Sequence, residues 1–457
     1  MLAKNQTVHL VCERLGADLE GVCHHEGQAV FVPGALPGEH FDAHILQVRP
    51  NYAFAKIARL VQPSPDRREP FCPVYVQCGG CSGQHMSYAA TLEAKRQQVV
   101  DCLTRIGGLS LTPEDVPPVL GAGDPTHYRN KTSLPVGGSV GHPLLGFYKR
   151  RSHEIVAISD CPVAMGSVPN VLTAVREWMV KAAVPPYQEV SGQGLLRHVV
   201  IRTVRGGDVL VLLVATSEKL PTVDRLVEHL KAQVPGFAAL HVSENRMRNN
   251  VILGSTCRKL YGADAILETL LGLTFEISPL SFFQVNPAQT ERLYQQAIDF
   301  AALGPEDTVV DAYAGAGTIS LCMAKRCKRV IGLEIVPQAV ESAQRNAVRN
   351  GVANAEFLVD SVEDRLPKLV SMGLRPDVIM LDPPRKGVEP QVIEAILTAA
   401  PRRVVYVSCH VPTQARDVAL LVQGGYRFAG CQPVDLFCYA SGVENVLVLE
   451  REPAANR

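Results

Sequence analysis

The stretch Thr308-Val-Val-Asp311-Ala-Tyr-Ala-Gly315-Ala-Gly317-Thr318 decides the fold. Its first four residues are typical of a buried strand, and the glycines after them allow the backbone to turn tightly into a helix. A strand, a glycine-rich turn and a helix in this order can hold a ligand at the helix N-terminus. The same pattern also occurs as a simple connection in α/β proteins, so the loop by itself does not identify a ligand.

Strand and helix patterns alternate around and after this stretch. A helix is expected over 288–301, and strands are expected at 308–311, 330–334, 356–360, 377–381 and 403–408. Alternation of this kind predicts a parallel, doubly wound sheet.

An acidic residue stands at the end of each of the first four predicted strands, and these residues are Asp311, Glu334, Asp360 and Asp382. Open sheets bind ligands at the carboxyl edge of their strands, so the four carboxylates predict a binding site there. The acid that ends the second strand can accept the ribose hydroxyls of a nucleoside cofactor.

The glycine-rich loop narrows the class of cofactor. It lacks the third spaced glycine of dinucleotide-binding proteins, and it has no Lys-Ser/Thr pair of a phosphate loop. Together with the four acidic strand ends, it resembles the class I S-adenosylmethionine-dependent methyltransferases more than NAD or ATP enzymes.

A cysteine and a glutamate complete the candidate chemistry. Cys409 follows the fifth predicted strand, and Glu444 precedes an apolar closing strand at 446–449. A single cysteine is more often a core residue, and a hairpin glutamate is more often solvated. Together, however, a thiol and a carboxylate suit methylation of uracil at C5. A thiolate that adds to C6 makes C5 nucleophilic, and a carboxylate can then remove the C5 proton.

These motifs resemble the RNA uracil-5-methyltransferase family, in particular its bacterial 23S rRNA branch, over nearly the whole chain. The most specific match is Leu381-Asp382-Pro-Pro-Arg-Lys386-Gly. The resemblance implies that Cys409 is the nucleophile and Glu444 the proton acceptor. It also implies a set of S-adenosylmethionine-binding residues, namely Gln284, Tyr313, Gly315, Gly317, Glu334, Asp360 and Asp382.

The chain departs from the family pattern at three places. Ala314 stands where a cysteine is common, and His410-Val411 stands where the family has Asn-Pro. The segment 438–443, just before Glu444, lacks both histidines that the family has there. These departures concern the contacts with the target base more than the chemistry.

Three cysteines within ten residues predict a metal site, with Cys161 as the candidate fourth ligand; the set is Cys72, Cys78, Cys81 and Cys161. Four thiolates suit either structural zinc or a [4Fe–4S] cluster, and spacing does not decide between them. The segment 78–85, Cys-Gly-Gly-Cys-Ser-Gly-Gln-His, resembles the iron–sulfur loop of the rRNA branch. That resemblance implies a [4Fe–4S] cluster and favours rRNA as the substrate, since the tRNA-modifying branch lacks the cluster.

The N-terminal segment has closely spaced short strands, at 7–12, 29–33 and 41–48, which predict a small barrel. It resembles a TRAM domain, an OB-like barrel that binds RNA. Because the local charge is near neutral, four aromatic residues are candidates for stacking on RNA bases, although most of them are expected in the barrel core; they are Phe31, Phe41, Tyr52 and Phe54. Two further segments, 128–131 and 147–150, mix basic and aromatic residues, as a surface for single-stranded RNA does.

The expected architecture is therefore multidomain. Residues 1–62 form an OB-like β-barrel (TRAM), and residues 63–280 form a central α+β domain that carries the Fe–S loop and an RNA-binding surface. Residues 281–457 form a C-terminal α/β, Rossmann-like methyltransferase domain.

Composition sets limits on location and partners. The 457 residues include 45 Lys+Arg and 45 Asp+Glu, so there is no global charge excess to attract nucleic acid, although a local basic patch suffices. Neither a membrane-spanning run nor a signal peptide is evident, so we expect a cytoplasmic protein without a membrane association. In that compartment the 13 cysteines are expected to be free or liganded. No obligate protein partner is evident.

The expected function is transfer of a methyl group from S-adenosylmethionine to C5 of a uridine in RNA, with 23S rRNA as substrate, through a covalent bond between Cys409 and C6. A tRNA uracil-5-methyltransferase is one alternative, and a non-catalytic RNA-binding relative is another. An N-methyltransferase is disfavoured because Arg385 stands where those enzymes carry an aromatic residue.

Overall fold

The computed structural model describes residues 2–452. Within this range the chain forms three large β-sheets and a separate two-stranded hairpin. No helix in this range is both long and apolar enough to cross a membrane.

The N-terminal sheet has six strands in the order β1-β5-β6-β4-β3-β2, with bounds Thr7–Val11 (β1), Arg14–Leu15 (β2), Gly21–His25 (β3), Gln28–Val32 (β4), His40–Val48 (β5) and Tyr52–Gln62 (β6). The three strands expected in this segment are confirmed as β1, β4 and β5. Burial alternates along β5, so that Phe41, Ala43 and Ile45 all face the core. This is the pattern of a strand with one buried face.

Three of the four aromatic residues expected in this core lie elsewhere. Phe41 is fully buried, whereas the rings of Phe31, Tyr52 and Phe54 form a cluster with centroids 5.5–5.8 Å apart at the surface. They are on the outer face because β4 and β6 pair in parallel, with Phe31 opposite Phe54. The alternating pattern therefore places both rings on the same side of the sheet.

The central sheet follows helix α1 (Tyr88–Arg105) and has seven strands in the order β13-β12-β11-β10-β7-β8-β9. The bounds are Lys131–Ser139 (β7), His142–Tyr148 (β8), Ile155–Ala157 (β9), Leu196–Thr203 (β10), Val209–Ala215 (β11), Phe237–Glu244 (β12) and Arg258–Gly262 (β13). Helices α2 (Val168–Lys181) and α3 (Val223–Gln233) pack against this sheet and bury the single Trp178.

The C-terminal sheet also has seven strands, in the order β18-β17-β16-β19-β20-β22-β21. The strands are Thr308–Ala312 (β16), Arg329–Glu334 (β17), Ala355–Val359 (β18), Val378–Leu381 (β19), Arg403–Ser408 (β20), Tyr426–Val434 (β21) and Glu444–Arg451 (β22). The helices are Pro287–Ala301 (α4), Thr318–Ala324 (α5), Pro337–Arg349 (α6), Val362–Ser371 (α7), Pro390–Ala399 (α8) and Val411–Gln423 (α9).

The expected parallel, doubly wound arrangement is confirmed for β16–β20. The strand order reverses between β16 and β19, which creates a switch point where open α/β sheets bind ligands. At the other end, β22 inserts antiparallel between β20 and β21. The sheet is thus mixed, and β22 begins at the ligand-binding edge, with Asn445 opposite Ser408, and runs away from it.

The segment between 63 and 280 contributes to more than the central sheet. Hairpin β14–β15 (Ile266–Leu270 and Leu273–Ile277) packs on α6, where Asn350 exchanges two 2.8 Å hydrogen bonds with the backbone of Thr274. Phe275 shares the core of the C-terminal sheet. Helix α1 packs on α9. We therefore propose that the methyltransferase unit includes this hairpin and α1, and does not begin at residue 281.

This packing predicts the stability effect of two phenylalanine substitutions. Phe275 is fully buried in the core that it shares with the C-terminal sheet, whereas Phe282 is 72% exposed. Phe275→Ala should lower the free energy of unfolding by about 3–5 kcal/mol through lost burial and a cavity. Phe282→Ala, the matched control, should change it by less than about 0.5 kcal/mol. Chemical denaturation measures both, and equal effects would contradict the shared core.

Candidate active site

Four acidic side chains meet at the carboxyl edge of the C-terminal sheet. The sheet order places them in the sequence Asp360, Glu334, Asp311, Asp382, at or just beyond the ends of β18, β17, β16 and β19. Asp311 and Asp382 therefore flank the switch point between β16 and β19. The structure brings together the four carboxylates at the edge where the sequence places them.

Glu334 is held by the loop that follows β16. Its Oε2 accepts a hydrogen bond from the N–H of Gly315 at 2.9 Å, and its Oε1 accepts one from the N–H of Val336 at 2.8 Å. A carboxylate oxygen has two lone pairs, so both oxygens can accept another hydrogen bond from a ligand. The geometry fits the role of a ribose acceptor because the carboxylate is fixed but not saturated.

Gly317 must be glycine at the start of α5. It caps the helix with a φ of +76°, and a Cβ added there would lie 2.8 Å from the ring of Phe357 and 2.9 Å from Ala343. The loop can therefore come close to β18 and α6 only without a side chain at this position. This close approach leaves the helix N-terminus facing the carboxyl edge.

Two other predicted cofactor residues border the same edge. Tyr313 has a φ of +69° and donates a hydrogen bond from its hydroxyl to Glu363 of α7 at 3.2 Å. Gln284 is buried just before α4, where its backbone carbonyl accepts a hydrogen bond from Asn130 at 3.0 Å. Contacts that are distant in sequence thus hold the side chain of Tyr313 and the backbone of Gln284.

Burial changes the acidity of the carboxyls at the switch point. Burial raises the pKa of Asp382 to about 7. The pKa of Asp311 also rises to about 7, through burial and the nearby Asp382 and Glu334, although the Ser320 hydroxyl opposes the shift by donating a hydrogen bond to it. One oxygen of Asp311, Oδ1, has no hydrogen-bond partner. These carboxyls are therefore weaker acids than ordinary aspartates, and a positively charged ligand would favour their ionised forms.

Strand pairing brings Cys409 next to Glu444. Strands β20 and β22 run antiparallel, with Ser408 opposite Asn445, and Cys409 and Glu444 are the residues next to this last pair, where the charge of Glu444 acts on the Cys409 thiol. Gln414 fixes this register, because its side-chain N–H donates to the carbonyls of Tyr406 and Asn445 at 2.8 and 3.1 Å. The two residues are thus neighbours in space although 34 residues separate them in the chain.

The electrostatics of this pair depend on two further side chains. Burial raises the pKa of Glu444 to about 8, with a further contribution from Asp382, while the Arg385 guanidinium opposes the shift. Burial also raises the pKa of the Cys409 thiol, as do Glu444 and Asp382, and Arg385 again opposes it. Arg385 is the cation that favours the ionised forms of both groups.

Arg385 was not among the residues that the sequence assigned to the site. Arg385 is the last residue of the motif Asp382-Pro-Pro-Arg385, so the motif could have identified it as a site residue. Beside it, Asp417 of α9 accepts hydrogen bonds from the N–H of Val388 at 3.0 Å and the hydroxyl of Tyr406 at 2.7 Å. Asp417 thereby ties the segment after β19 to β20, and this tie keeps Arg385 near Cys409.

The four predicted cysteine ligands line one cavity of about 280 Å³, and they are Cys72, Cys78, Cys81 and Cys161. Burial raises the pKa of the Cys81 thiol to about 12, and the other three thiols add to the shift. Within residues 2–452, no group of three or more His, Cys, Asp or Glu side chains is arranged to hold a metal ion. The thiols therefore share a cavity without converging on a single point.

The two segments expected to face RNA have different positions. In the first, Tyr128 is buried with its hydroxyl donating to the carbonyl of Cys438 at 3.2 Å, and Asn130 is buried as well. In the second, the turn between β8 and β9 exposes Lys149 and Arg150 beside the cysteine residues. The basic side chains of the second segment are thus exposed, whereas those of the first, Arg129 and Lys131, are half-buried.

The turn between β8 and β9 also reaches the N-terminal sheet. The guanidinium of Arg151, the next residue, lies 5.7 Å from the ring centroid of Phe54. The basic turn is therefore continuous with the aromatic cluster of Phe31, Tyr52 and Phe54.

The strand order, the glycine-rich loop and the acidic strand ends define the class I S-adenosylmethionine-dependent methyltransferase fold. Comparison with known families agrees with this class. Residues 271–452 match the family described as tRNA (uracil-5-)-methyltransferase, and residues 4–58 match the TRAM domain.

Relatives of similar length are described as RNA methyltransferases. A protein of Halalkalibacterium halodurans described as an uncharacterized RNA methyltransferase is 42% identical over 448 residues, which cover 98% of this chain and 97% of that protein. A protein of Listeria monocytogenes with the same description is 42% identical over 450 residues, 98% of each chain. The chain belongs to the RNA uracil-5-methyltransferase family, whose members are S-adenosylmethionine-dependent RNA methyltransferases.

A solved structure also covers almost the full chain. Pyrococcus abyssi tRNA (uracil-54, C5)-methyltransferase, in complex with S-adenosyl-L-homocysteine, has a TM-score of 0.77 and 27% identity. The similarity covers 97% of this chain and 100% of that chain.

The close approach at Gly317 predicts the effect of a single methyl group. Gly317→Ala forces a side chain into left-handed backbone, at about 1–2 kcal/mol, and into the ring of Phe357. We expect binding of S-adenosyl-L-homocysteine, measured by titration calorimetry, to weaken at least about tenfold. Gly304→Ala is the control, because a Cβ there meets only atoms of Asp307 at 3.7–3.9 Å. Unchanged affinity in Gly317→Ala would show that this loop does not hold the cofactor.

Proposed function

We propose that this protein transfers a methyl group from S-adenosylmethionine to C5 of a uridine in RNA, with 23S rRNA as the substrate. Two observations support the proposal: the antiparallel register of β20 and β22 ends at the pair directly next to Cys409 and Glu444, and the charge of Glu444 acts on the Cys409 thiol. A nucleophile and a base in adjacent positions are what methylation of uracil C5 requires.

The nucleophilic step belongs to Cys409. Its thiolate adds to C6 of the uracil ring and forms an S–C6 bond, and the π electrons of the C5–C6 double bond shift so that C5 becomes an enolate carbon. Arg385 supports this step because its positive charge opposes the effect of burial and of Glu444 on the thiol pKa. C5 then takes the methyl group.

The proton-removal step belongs to Glu444. After methylation C5 is saturated and still carries its proton, so the RNA remains bonded to the enzyme. Glu444 removes this proton, the C5–H electrons restore the C5–C6 double bond, and the S–C6 bond breaks to return the Cys409 thiolate. A pKa of about 8 makes Glu444 a stronger base than an ordinary glutamate and matches it to neutral pH.

S-adenosylmethionine supplies an electrophilic methyl group on a positively charged sulfur when it is bound. We assign Glu334 and Asp360 to the nucleoside part, and the loop of Tyr313, Gly315 and Gly317 to close approach to it; the carboxyl-edge position of the acids and the Gly315–Glu334 hydrogen bond support this assignment. The acidic edge favours the cationic sulfonium over the neutral thioether left after transfer. This difference assists both binding of the donor and release of the product.

RNA is proposed to bind across the aromatic cluster and the basic turn. Phe31, Tyr52 and Phe54 offer ring faces on which bases can stack, and Lys149 and Arg151 offer charges for phosphates. A chain with no net charge can thus still bind RNA, because these positive charges are concentrated beside exposed rings.

The proposed metal group is a [4Fe–4S] cluster held by Cys72, Cys78, Cys81 and Cys161. The four thiols line one cavity of about 280 Å³, and four thiolates are a ligand set that such a cluster takes. A bound cluster supplies no electron to methyl transfer, so its role here is to hold the chain segments that carry its ligands.

Two candidate RNA classes follow from separate observations. The cysteine-lined cavity favours rRNA, through the resemblance of its loop to the rRNA branch. The alternative, a tRNA substrate, is favoured by the similarity to the Pyrococcus abyssi tRNA enzyme. Mapping 5-methyluridine in rRNA and tRNA from a strain that lacks the gene distinguishes them, because the modification disappears only from the true substrate.

Glu444→Gln tests the reaction class. Glutamine keeps the shape and a hydrogen bond but removes the basicity, so methyl transfer should occur once and then stop. A covalent protein–RNA adduct should accumulate and survive denaturing electrophoresis, with one tritiated methyl group per adduct.

Cys409→Ala in the same background is the control, and it should remove the adduct completely. Cys431→Ala changes a buried cysteine of β21 and should leave the adduct intact. Normal turnover of Glu444→Gln without an adduct would contradict the proposed base.

Removal of one proposed ligand tests the cluster. Anaerobically purified protein should contain about four iron and about four sulfide per chain, as a [4Fe–4S] centre requires. Cys81→Ser should lose most of both, whereas Cys257→Ser, a half-buried cysteine outside the cavity, should keep them. Stoichiometric zinc without iron or sulfide would refute the assignment.

A further inference from the structure

The loop that joins β21 to β22, residues 435–443, leads directly into Glu444. Its two ends are closed by the pairing of Val434 with Glu444, the last pair of the β21–β22 ladder. The position of Glu444 relative to Cys409 therefore depends on how this loop is held. A movement of the loop would therefore displace Glu444, the first residue of β22, more than the rest of the sheet.

Lys95 of α1 holds the start of the loop through a buried ion pair. Its Nζ donates to Oδ1 of Asp435 at 2.6 Å and to the carbonyl of Phe437 at 2.9 Å. Both charged side chains are fully buried, and they come from segments 340 positions apart. Lys95 thus contacts the loop at two points and fixes its first turn.

Tyr88, seven residues before Lys95 in the same helix, holds the second oxygen of the carboxylate. Its hydroxyl donates to Oδ2 of Asp435 at 2.7 Å and accepts a hydrogen bond from the N–H of Ala122 at 2.8 Å. Asp435 therefore has both oxygens bound by α1.

The far side of the loop is bound to the segment that contains the cysteines. The carbonyl of Tyr439 accepts hydrogen bonds from the N–H groups of Ser82 and Gly83, both at 2.8 Å. Ser82 directly follows Cys81. Tyr439 itself has a φ of +60°, a conformation that persists for a non-glycine residue only when its surroundings impose it.

We infer that the buried Lys95–Asp435 pair, completed by Tyr88, positions Glu444 for proton removal. The inference rests on the proposed function, because it assigns these residues to one step of that reaction. They are positioning residues, since they act through Glu444 and touch neither the cysteine nor the carboxylate that reacts. Their loss slows release of the RNA after methylation and leaves methyl transfer itself largely intact.

A purely stabilising role is a poor explanation of this pair. A buried ion pair often contributes little net stability compared with apolar residues of the same size, because both charges lose their hydration. What two charges and a hydroxyl provide is a single geometry, since each hydrogen bond is directional. This geometry holds the loop 435–443, which leads directly into the proposed base, Glu444.

The test separates the two steps of the reaction. Wild type, Lys95→Met and Tyr88→Phe are mixed in excess with unmodified total RNA from a strain lacking the gene, and tritiated S-adenosylmethionine is added. Lys95→Met should transfer its first methyl group at a rate within about threefold of wild type, while the lifetime of the covalent adduct increases at least about tenfold. Tyr88→Phe, which keeps the ring and the ion pair, should lengthen the lifetime by a smaller factor.

Arg205→Met is the matched control for loss of a buried pair. Arg205 pairs with the buried Glu268 of β14, so its removal also leaves a buried carboxylate without its cation. It should lower the melting temperature without lengthening the adduct lifetime. If Lys95→Met does not fold, Tyr88→Phe carries the test alone, since it removes only one hydroxyl.

The outcomes distinguish the inference from the function on which it rests. An adduct that accumulates in Glu444→Gln but decays at the wild-type rate in both α1 variants would overturn the positioning role. So would a loss of the first methyl transfer equal to the loss of release. Absence of any adduct in Glu444→Gln would instead contradict the proposed function.

Discussion

The antiparallel pairing of β22 with β20 is the constraint on which the candidate site depends. Six successive pairs, from Arg403 with Glu450 to Ser408 with Asn445, fix one register. Side chains alternate between the faces of a strand, so a shift by one residue would turn Glu444 away from Cys409 and expose the buried side chains of β22. Burial of the β22 side chains in the core therefore fixes the register. The position of Glu444 relative to Cys409 follows from that register.

The same burial determines the electrostatics of the site. Asp311, Asp382 and Glu444 all have raised pKa values because they lie out of water, and the nearby Asp382 adds to the shift at Asp311 and at Glu444. Arg385 is the cation that opposes this at Glu444 and Cys409. A positive sulfonium beside these groups would lower their pKa values further. Ligand binding and ionisation of the base are thus linked, since each favours the other.

The local features of the C-terminal sheet could be predicted from the sequence. Apolar runs of strand length alternate with helical patterns, and the acidic strand ends lie at one edge because parallel strands share a direction. The five expected parallel strands agree with β16–β20 to within one or two residues. The N-terminal strands and α1 were also predictable, for the same reason: each is set by neighbours along the chain.

The remaining features depend on contacts between distant segments, which leave no local pattern. The hairpin β14–β15 reads as part of the segment before residue 281, yet Asn350 of the following unit binds it. Phe31 and Phe54 look like core residues until the parallel pairing of β4 and β6 turns both outward. Lys95 reads as an ordinary helix lysine, and only the fold shows that Asp435 neutralises it in the interior. Such pairs must be specified by two segments at once, so neither segment alone reveals that its charge is buried.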